Sequence, residues 1–177
     1  MRPTIAMMTG STGGPCSAMV LAAGRGERMR PLTDTCPKPL LPVRGKPLMQ
    51  WLMESLVHAG VRNILVNTDW LGDRIEAHFA APWMPLPTGE QRTAAVAQAR
   101  QPVLLAFSRE GHDFGGALET AGGIARALPQ LTDPFWLLAG DIYAPEFAFS
   151  AHTHAAFNAS GALAHIWLVP NPTHNPN

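Results

Sequence analysis

The stretch AMVLAAGRGERMRPLTDTCPKPLLPV, residues 18–43, joins an apolar run to a basic loop. The run ends at Gly24, as is typical of a strand that is buried on both faces. Gly24 and Gly26 let the backbone turn its N–H groups inward, and Arg25, Arg28 and Arg30 add fixed positive charge. Because these are the donors that an anionic ligand needs, the stretch predicts a polyphosphate-binding loop directly behind a central strand.

The overall composition makes this positive charge a local feature. Thirteen Lys and Arg residues balance 13 Asp and Glu residues in a chain of 177, so the formal net charge is zero. A neutral chain does not favour a nucleic-acid partner, and any anion site must be local. With 46% apolar residues, the chain can bury the core of one domain.

Membrane and metal-cluster signatures are absent from the sequence. No apolar run reaches the roughly 20 residues that a membrane-spanning helix needs, so no membrane partner is expected. The opening residues lack the sustained apolar stretch of a signal peptide, and we therefore expect a cytoplasmic protein. Cys16 and Cys36 lack the spacing of a zinc site or a disulfide framework. The sequence does not indicate an oligomeric state.

Strand and helix patterns alternate along the rest of the chain. Strands are predicted at 18–23, 62–68, 103–108, 134–141 and 163–169, and helices at 47–60, 71–80, 120–131 and 145–160. This alternation predicts an α/β fold, a doubly wound, mostly parallel sheet with helices on both faces in three αβα layers. Residues 1–17 are predicted to be a flexible extension, residues 18–177 a single domain, and residues 81–102 a Pro/Ala/Gln-rich loop.

Polar residues follow several of the predicted strands, where ligands bind in such sheets. Asn67 follows the second strand and could read a base or a sugar hydroxyl, although an ordinary connection with Asp69 as a helix cap is the alternative. Asp141 ends a strand apolar enough to be central, and a carboxylate there is costly unless it faces a cleft or holds a metal. A purely structural aspartate is the other interpretation.

The segment GALETAGGIARAL, residues 116–128, carries a further polar pair. Glu119 and Thr120 could meet a nucleobase and ribose, while Gly122 and Gly123 allow a close approach. The alternative is a capped helix with loose glycines.

The continuation MRPLTDTCPKPLLPV, residues 29–43, resembles the signature of the sugar-phosphate nucleotidyltransferases, which have a Rossmann-like fold. The resemblance implies that the loop wraps a nucleoside triphosphate, that the lysine of the Pro-Lys-Pro run contacts phosphate, and that Asp141 holds Mg²⁺. It implies catalytic roles for Arg28, Lys38 and Asp141, and substrate contacts from Asn67 and Gly140. The implied nucleotide-binding residues are Leu21, Ala22, Ala23, Gly24, Gly26, Arg28, Glu119, Thr120, Gly122 and Gly123. We therefore expect the glycine turn, Lys38 and Asp141 to converge around one magnesium triphosphate.

Two segments narrow the resemblance to one branch of the family. Leu-Glu-Thr-x-Gly-Gly-Ile at 118–124 is similar to the uridylyl-transferring muramate branch, as is Asn-x-x-Trp-Leu at 67–71. The implied reaction moves a uridylyl group from UTP to a sugar 1-phosphate, N-acetylmuramate 1-phosphate, and gives a UDP-sugar and pyrophosphate in peptidoglycan recycling. Guanylyl transfer to mannose 1-phosphate, thymidylyl transfer to glucose 1-phosphate, and a nucleotide-binding module without chemistry are the alternatives.

The sequence departs from the family pattern at two places. Ala139 precedes Gly140-Asp141 where most relatives have Asn, so one polar contact is missing. The chain also ends at VPNPTHNPN, residues 169–177, whereas relatives continue to a second metal-binding aspartate. We therefore expect either a C-terminally truncated chain or a fragment, and we expect UTP binding to survive better than transfer.

Overall fold

The computed structural model describes residues 3–8, 17–80 and 103–168. The strands are β1 (Pro3–Met8), β2 (Ser17–Leu21), β3 (Pro42–Val43), β4 (Lys46–Pro47), β5 (Asn63–Thr68), β6 (Leu104–Arg109), β7 (Phe135–Ala139) and β8 (Ala164–Leu168). The α-helices are α1 (Leu32–Thr35), α2 (Leu48–His58), α3 (Gly72–His78), α4 (Glu110–Phe114), α5 (Glu119–Ala127) and α6 (Ala151–Ser160). The predicted loop at 81–102 lies outside the described residues.

The central sheet has the strand order β6-β5-β2-β7-β1-β8. Strands β6, β5, β2 and β7 are parallel, whereas β1 runs antiparallel to both of its neighbours. The predicted α/β class with a mostly parallel sheet is confirmed. A small β3–β4 hairpin and the short helix α4 are elements that the sequence analysis did not predict.

The prediction of a flexible N-terminal extension is wrong for residues 3–8. These residues form β1, which pairs with β7 on one side and with β8 on the other. The physical reason is that the edge of β7 presents unpaired main-chain N–H and C=O groups, and a short apolar segment satisfies them by pairing.

The first face of the sheet is covered by α2 and α3. Helix α2 carries apolar side chains three and four residues apart, so one stripe of it is buried. Met49, Leu52, Met53 and Leu56 are all fully buried in a cluster with Val20 and Val66 of the sheet. Two residues after helix α2, Gly60 has φ of 93°, and the Gly60 and Val61 N–H groups form the backbone hydrogen-bond pair typical of a Schellman cap.

The second face of the sheet is covered by α5 and the turn that follows it. Met19, Leu65 and Phe135 pack there against Ala127 and Leu131. Because consecutive side chains of a strand point to opposite faces, Met19 and Val20 belong to different clusters. The carboxyl ends of β2, β5, β6 and β7 therefore meet at one edge of a sheet that is packed on both faces. Across the ranges described, no helix has the length and apolar character needed to cross a membrane.

Candidate functional site

A cleft of about 610 Å³ opens at the carboxyl ends of the parallel strands. Its walls are the loop after β2, the turn at Lys38, the ends of β5 and β7, and the start of α5. Most of the predicted site residues line it: Leu21, Ala22, Ala23, Gly24, Gly26, Arg28, Lys38, Asn67, Glu119, Thr120 and Asp141. Segments more than 100 residues apart in the chain therefore share one concave surface.

The loop after β2 owes its shape to Gly26 rather than to Gly24. Gly26 has φ of 69°, and a Cβ atom there would lie 3.1 Å from side-chain atoms of both Lys38 and Thr33. Its carbonyl oxygen accepts hydrogen bonds from the Met29 N–H and the Thr33 hydroxyl, at 2.9 and 3.0 Å. Gly24 has no positive φ and faces open space, so its lack of a side chain keeps the surface of the cleft clear.

Replacing Gly26 with alanine should destabilise the protein by about 1 kcal/mol, because L-residues pay a steric penalty in the left-handed region. The added methyl group also presses on the Lys38 and Thr33 side chains. Gly24→Ala is the matched control and should leave the free energy of unfolding unchanged or slightly higher. Urea denaturation of both variants measures the difference, and equal stabilities would contradict this account of the turn.

The three arginines of the loop do not act together as the sequence predicted. Arg25 stacks 3.4 Å above the Trp70 ring and lies 3.5 Å from Asp34, and Arg30 donates to the same carboxylate at 2.8 Å. Asp34 thus pairs with two of the three guanidinium groups, and its single negative charge offsets one of the three positive charges. Arg28 is exposed at the cleft and has no acidic partner among the residues described. It is therefore the loop arginine whose charge no acidic side chain offsets in the described part of the chain.

Lys38 and Asp141 meet at the mouth of the cleft. The Lys38 Nζ lies 2.5 Å from an Asp141 carboxylate oxygen, although 103 residues separate them. Lys38 begins a 3-10 turn in the Pro-Lys-Pro segment, and Asp141 follows β7 by two residues. The expected convergence of this lysine and this carboxylate is confirmed. If the two side chains separate, Lys38 offers a positive charge to an anion and Asp141 offers a negative charge to a cation.

Asn67 lies in the floor of the cleft, and the sequence predicted it to read a base or sugar. Its side chain is 3% exposed, and its Oδ1 accepts from the Ala22 N–H at 2.7 Å. Its Nδ2 donates to Glu110 at 2.8 Å. The amide therefore braces the end of β2 against the start of α4.

Glu110 is a cleft residue that sequence reasoning missed. It is fully buried, and its second carboxylate oxygen accepts from the Leu118 N–H at 2.8 Å. An acidic residue placed directly after the third parallel strand was the available signal, because all such positions converge at one edge. Asp69 also lines the cleft, and it is not the cap of α3, whose N-cap residue is Leu71.

Three predicted glycines lie behind the cleft wall and do not line it. A Cβ at Gly123 would lie 2.5 Å from a Glu110 oxygen, and one at Gly140 would lie 3.1 Å from the Leu21 carbonyl oxygen. A Cβ at Gly122 would meet the Leu118 Cβ at 3.0 Å. The close approach that these residues permit is therefore between parts of the protein itself.

Asp141 is suited to a metal ion that arrives with a ligand. Among residues 3–8, 17–80 and 103–168, no group of three or more His, Cys, Asp or Glu side chains could hold a metal. Asp141 is exposed at the cleft and offers a hard oxygen donor. Mg²⁺ commonly takes one or two protein carboxylates together with phosphate oxygens, and this donor set fits that mode.

The chain is similar in sequence to several known proteins. Residues 17–177 match the family model described as Nucleotidyl transferase. The chain is 45% identical over 166 residues to an N-acetylmuramate alpha-1-phosphate uridylyltransferase of Neisseria meningitidis, covering 90% of this chain and 62% of the relative. It is 37% identical over 132 residues to a UTP–glucose-1-phosphate uridylyltransferase of Synechocystis, covering 70% and 30%. The chain thus spans less than two thirds of the length of either relative.

A solved structure supports the fold independently. The crystal structure of HddC from Yersinia pseudotuberculosis complexed with GMP-PN superposes with a TM-score of 0.57. The alignment covers 82% of this chain and 55% of that chain at 21% sequence identity. At this level of identity the likeness establishes the shared architecture.

Proposed function

This chain belongs to the nucleotidyl transferase family, and from that premise we propose that it transfers a uridylyl group from UTP to a sugar 1-phosphate. The proposed acceptor is N-acetylmuramate 1-phosphate, and the products are the UDP-sugar and pyrophosphate, in peptidoglycan recycling. The observation that carries the proposal is the Lys38–Asp141 pair beside the glycine turn, at the mouth of a cleft of nucleotide size. The choice of uridylyl transfer is supported by the 45% identical relative.

The proposed reaction needs alignment and charge stabilisation more than proton transfer. A phosphate monoester is already ionised near neutral pH, so its oxygen can attack without a general base. The new bond forms between this oxygen and the α-phosphorus of UTP, while the bond from that phosphorus to the bridging oxygen of pyrophosphate breaks. Negative charge then grows on the leaving pyrophosphate.

The residues of the cleft provide the corresponding positive charge. Arg28 and Lys38 would contact the phosphates, and the N–H groups of the loop after β2 would orient them. Asp141 is the residue that would hold Mg²⁺, which supplies further neutralisation of the triphosphate when bound. Glu119 and Thr120 also line the cleft, and a nucleobase and ribose would extend toward them.

Isothermal titration with UTP, GTP and dTTP in the presence of Mg²⁺ tests the nucleotide. We expect UTP to bind at least about tenfold more tightly than the others, because polar groups built for one base are left unpaired by another. Preference for GTP or dTTP would instead support guanylyl or thymidylyl transfer. No uptake of any of the three would refute the proposal.

Pyrophosphate release tests the chemistry separately from binding. The protein is mixed with UTP and, in turn, with the 1-phosphates of N-acetylmuramate, mannose and glucose. Release with the first acceptor above the rates with the other two is the expected result. UTP binding without release from any acceptor would favour a nucleotide-binding module without transfer activity.

A further inference from the structure

Glu110 is a buried acid that the proposed chemistry does not use. The residue is 0% exposed, and across the described ranges no Lys, Arg or His side chain forms an ion pair with it. By contrast, the buried Glu54 is paired with Lys46. A buried carboxylate without a cation is costly unless hydrogen bonds satisfy it. The hydrogen-bond partners of Glu110 therefore indicate why residue 110 is an acid.

The hydrogen bonds of Glu110 connect two segments that form walls of the cleft, the loop after β2 and the start of α5. Through Oε2 it accepts from the Leu118 N–H, which lies directly before Glu119 and Thr120. Through Oε1 it accepts from Asn67, whose own Oδ1 accepts from the N–H of Ala22 at the start of the loop after β2. Two side chains thus connect the main chain of one wall with the main chain of the other.

The two main-chain groups at the ends of this connection, the N–H of Ala22 and the N–H of Leu118, are both hydrogen-bond donors. The two side chains between them must therefore supply an acceptor at each end and a donor–acceptor pair between themselves. Each neutral amide side chain presents one acceptor and one donor to the line of bonds. The connection has three contacts, from Ala22 to residue 67, from residue 67 to residue 110, and from residue 110 to Leu118. If both side chains were amides, two donors would face each other at one of these contacts. One amide and one carboxylate satisfy all three contacts, which is the combination found at positions 67 and 110.

We propose that Glu110 is a positioning residue that, through Asn67, couples the phosphate loop (residues 22–30) to the base-side segment (residues 117–120). The relevance to UTP rests on the proposed function, since a nucleotide would touch both walls at once. If the two segments already hold their relative position in the free protein, less conformational entropy is lost when the nucleotide binds. The coupling itself is a property of the free protein.

Three variants test this connection by reversing its polarity. Glu110→Gln leaves two donors in contact, and Asn67→Asp leaves two carboxylates in contact. The double variant Asn67→Asp with Glu110→Gln restores all three hydrogen bonds with the central bond reversed, because the Gln amide then donates to the Asp carboxylate. A role that depended merely on side-chain volume would not respond to this exchange, since all three variants keep the shapes of the side chains.

Amide hydrogen exchange in the absence of any ligand is the first measurement. We expect each single variant to accelerate exchange at both Ala22 and Leu118 by roughly tenfold, the usual scale for one buried hydrogen bond lost. The double variant should return both amides to within about threefold of the original rates. Glu146→Gln, at an exposed glutamate outside the cleft, is the matched control and should change neither.

Titration with magnesium UTP is the second measurement. The single variants should weaken binding about tenfold, and the double variant should recover most of the loss. If the unaltered protein does not bind UTP, the proposed function fails while the exchange result still stands. Acceleration confined to one of the two segments, or a double variant no better than the singles, overturns the coupling.

Discussion

Replacing Lys38 with methionine should lower the affinity for magnesium UTP about 100-fold, the scale of one lost hydrogen bond between a charged donor and a phosphate. The loss has two sources. The variant removes a cation from the mouth of the cleft, and it also unpairs Asp141, whose carboxylate lies 2.5 Å from the lysine. An unpaired carboxylate there repels a triphosphate. Isothermal titration at two salt concentrations measures the affinity and its electrostatic share.

The matched control for this prediction is Arg30→Met in the same loop. Arg30 is exposed, does not line the cleft and is paired with Asp34, so its removal should change UTP affinity less than about threefold. Asp141→Asn provides the reciprocal test. It keeps Lys38 free for phosphate, so UTP binding without metal should persist while the gain from added Mg²⁺ disappears. Equal affinities for the Lys38→Met variant and the unaltered protein would remove Lys38 from the site.

Replacing Gly123 with alanine should cost about 3 kcal/mol of unfolding free energy. The added Cβ would lie 2.5 Å from a Glu110 oxygen and 3.0 Å from the Asn67 Nδ2. Neither group can retreat without losing hydrogen bonds, because Glu110 is 0% and Asn67 3% exposed. Displacing the carboxylate forfeits about 4 kcal/mol of charge-assisted bonding, and the better helix propensity of alanine returns about 1 kcal/mol.

Gly116→Ala is the control for the Gly123 substitution. Gly116 precedes α5, has no positive φ and faces open space, so alanine should change stability by less than about 0.5 kcal/mol. Urea denaturation compares the two. A double variant that combines Gly123→Ala with Glu110→Ala should lose less than the sum of the single effects, because the clash disappears with the carboxylate. If the losses of unfolding free energy were additive, the cost of the Gly123 substitution would not come from a clash with Glu110.

Several features of the site were within reach of sequence reasoning. The apolar run before Gly24 and the apolar run before Gly140 and Asp141 marked two central strands, and both strands lie side by side as β2 and β7. Since the carboxyl ends of parallel strands meet at one edge, Asp141 could be expected beside the loop after β2. That Lys38 would join it was implied by the family resemblance. The glycine turn was also predicted correctly at Gly26, where the backbone has the positive φ that favours glycine.

Other features depended on partners that no local pattern reveals. The sequence analysis counted Arg25 and Arg30 as positive charge for a polyphosphate, and in the structure both are paired with Asp34 of α1. The sequence analysis expected Gly123 to allow the close approach of a nucleotide, whereas in the structure its lack of a side chain allows the close approach of Glu110. Residues 3–8 were expected to be flexible, and they form a strand because β7 has an edge to fill.

By itself, the sequence determined the alternation of strands and helices, the order in which the glycine turn and Asp141 follow their strands, and membership of the α/β class. These properties depend on hydrophobic periodicity and on backbone geometry, which act between residues a few positions apart. Tertiary structure alone decided which charges remain available at the cleft and how Asn67 and Glu110 link its two walls. Those outcomes depend on hydrogen bonds and ion pairs between distant segments, and strand order brings such partners within the roughly 3 Å that these interactions require.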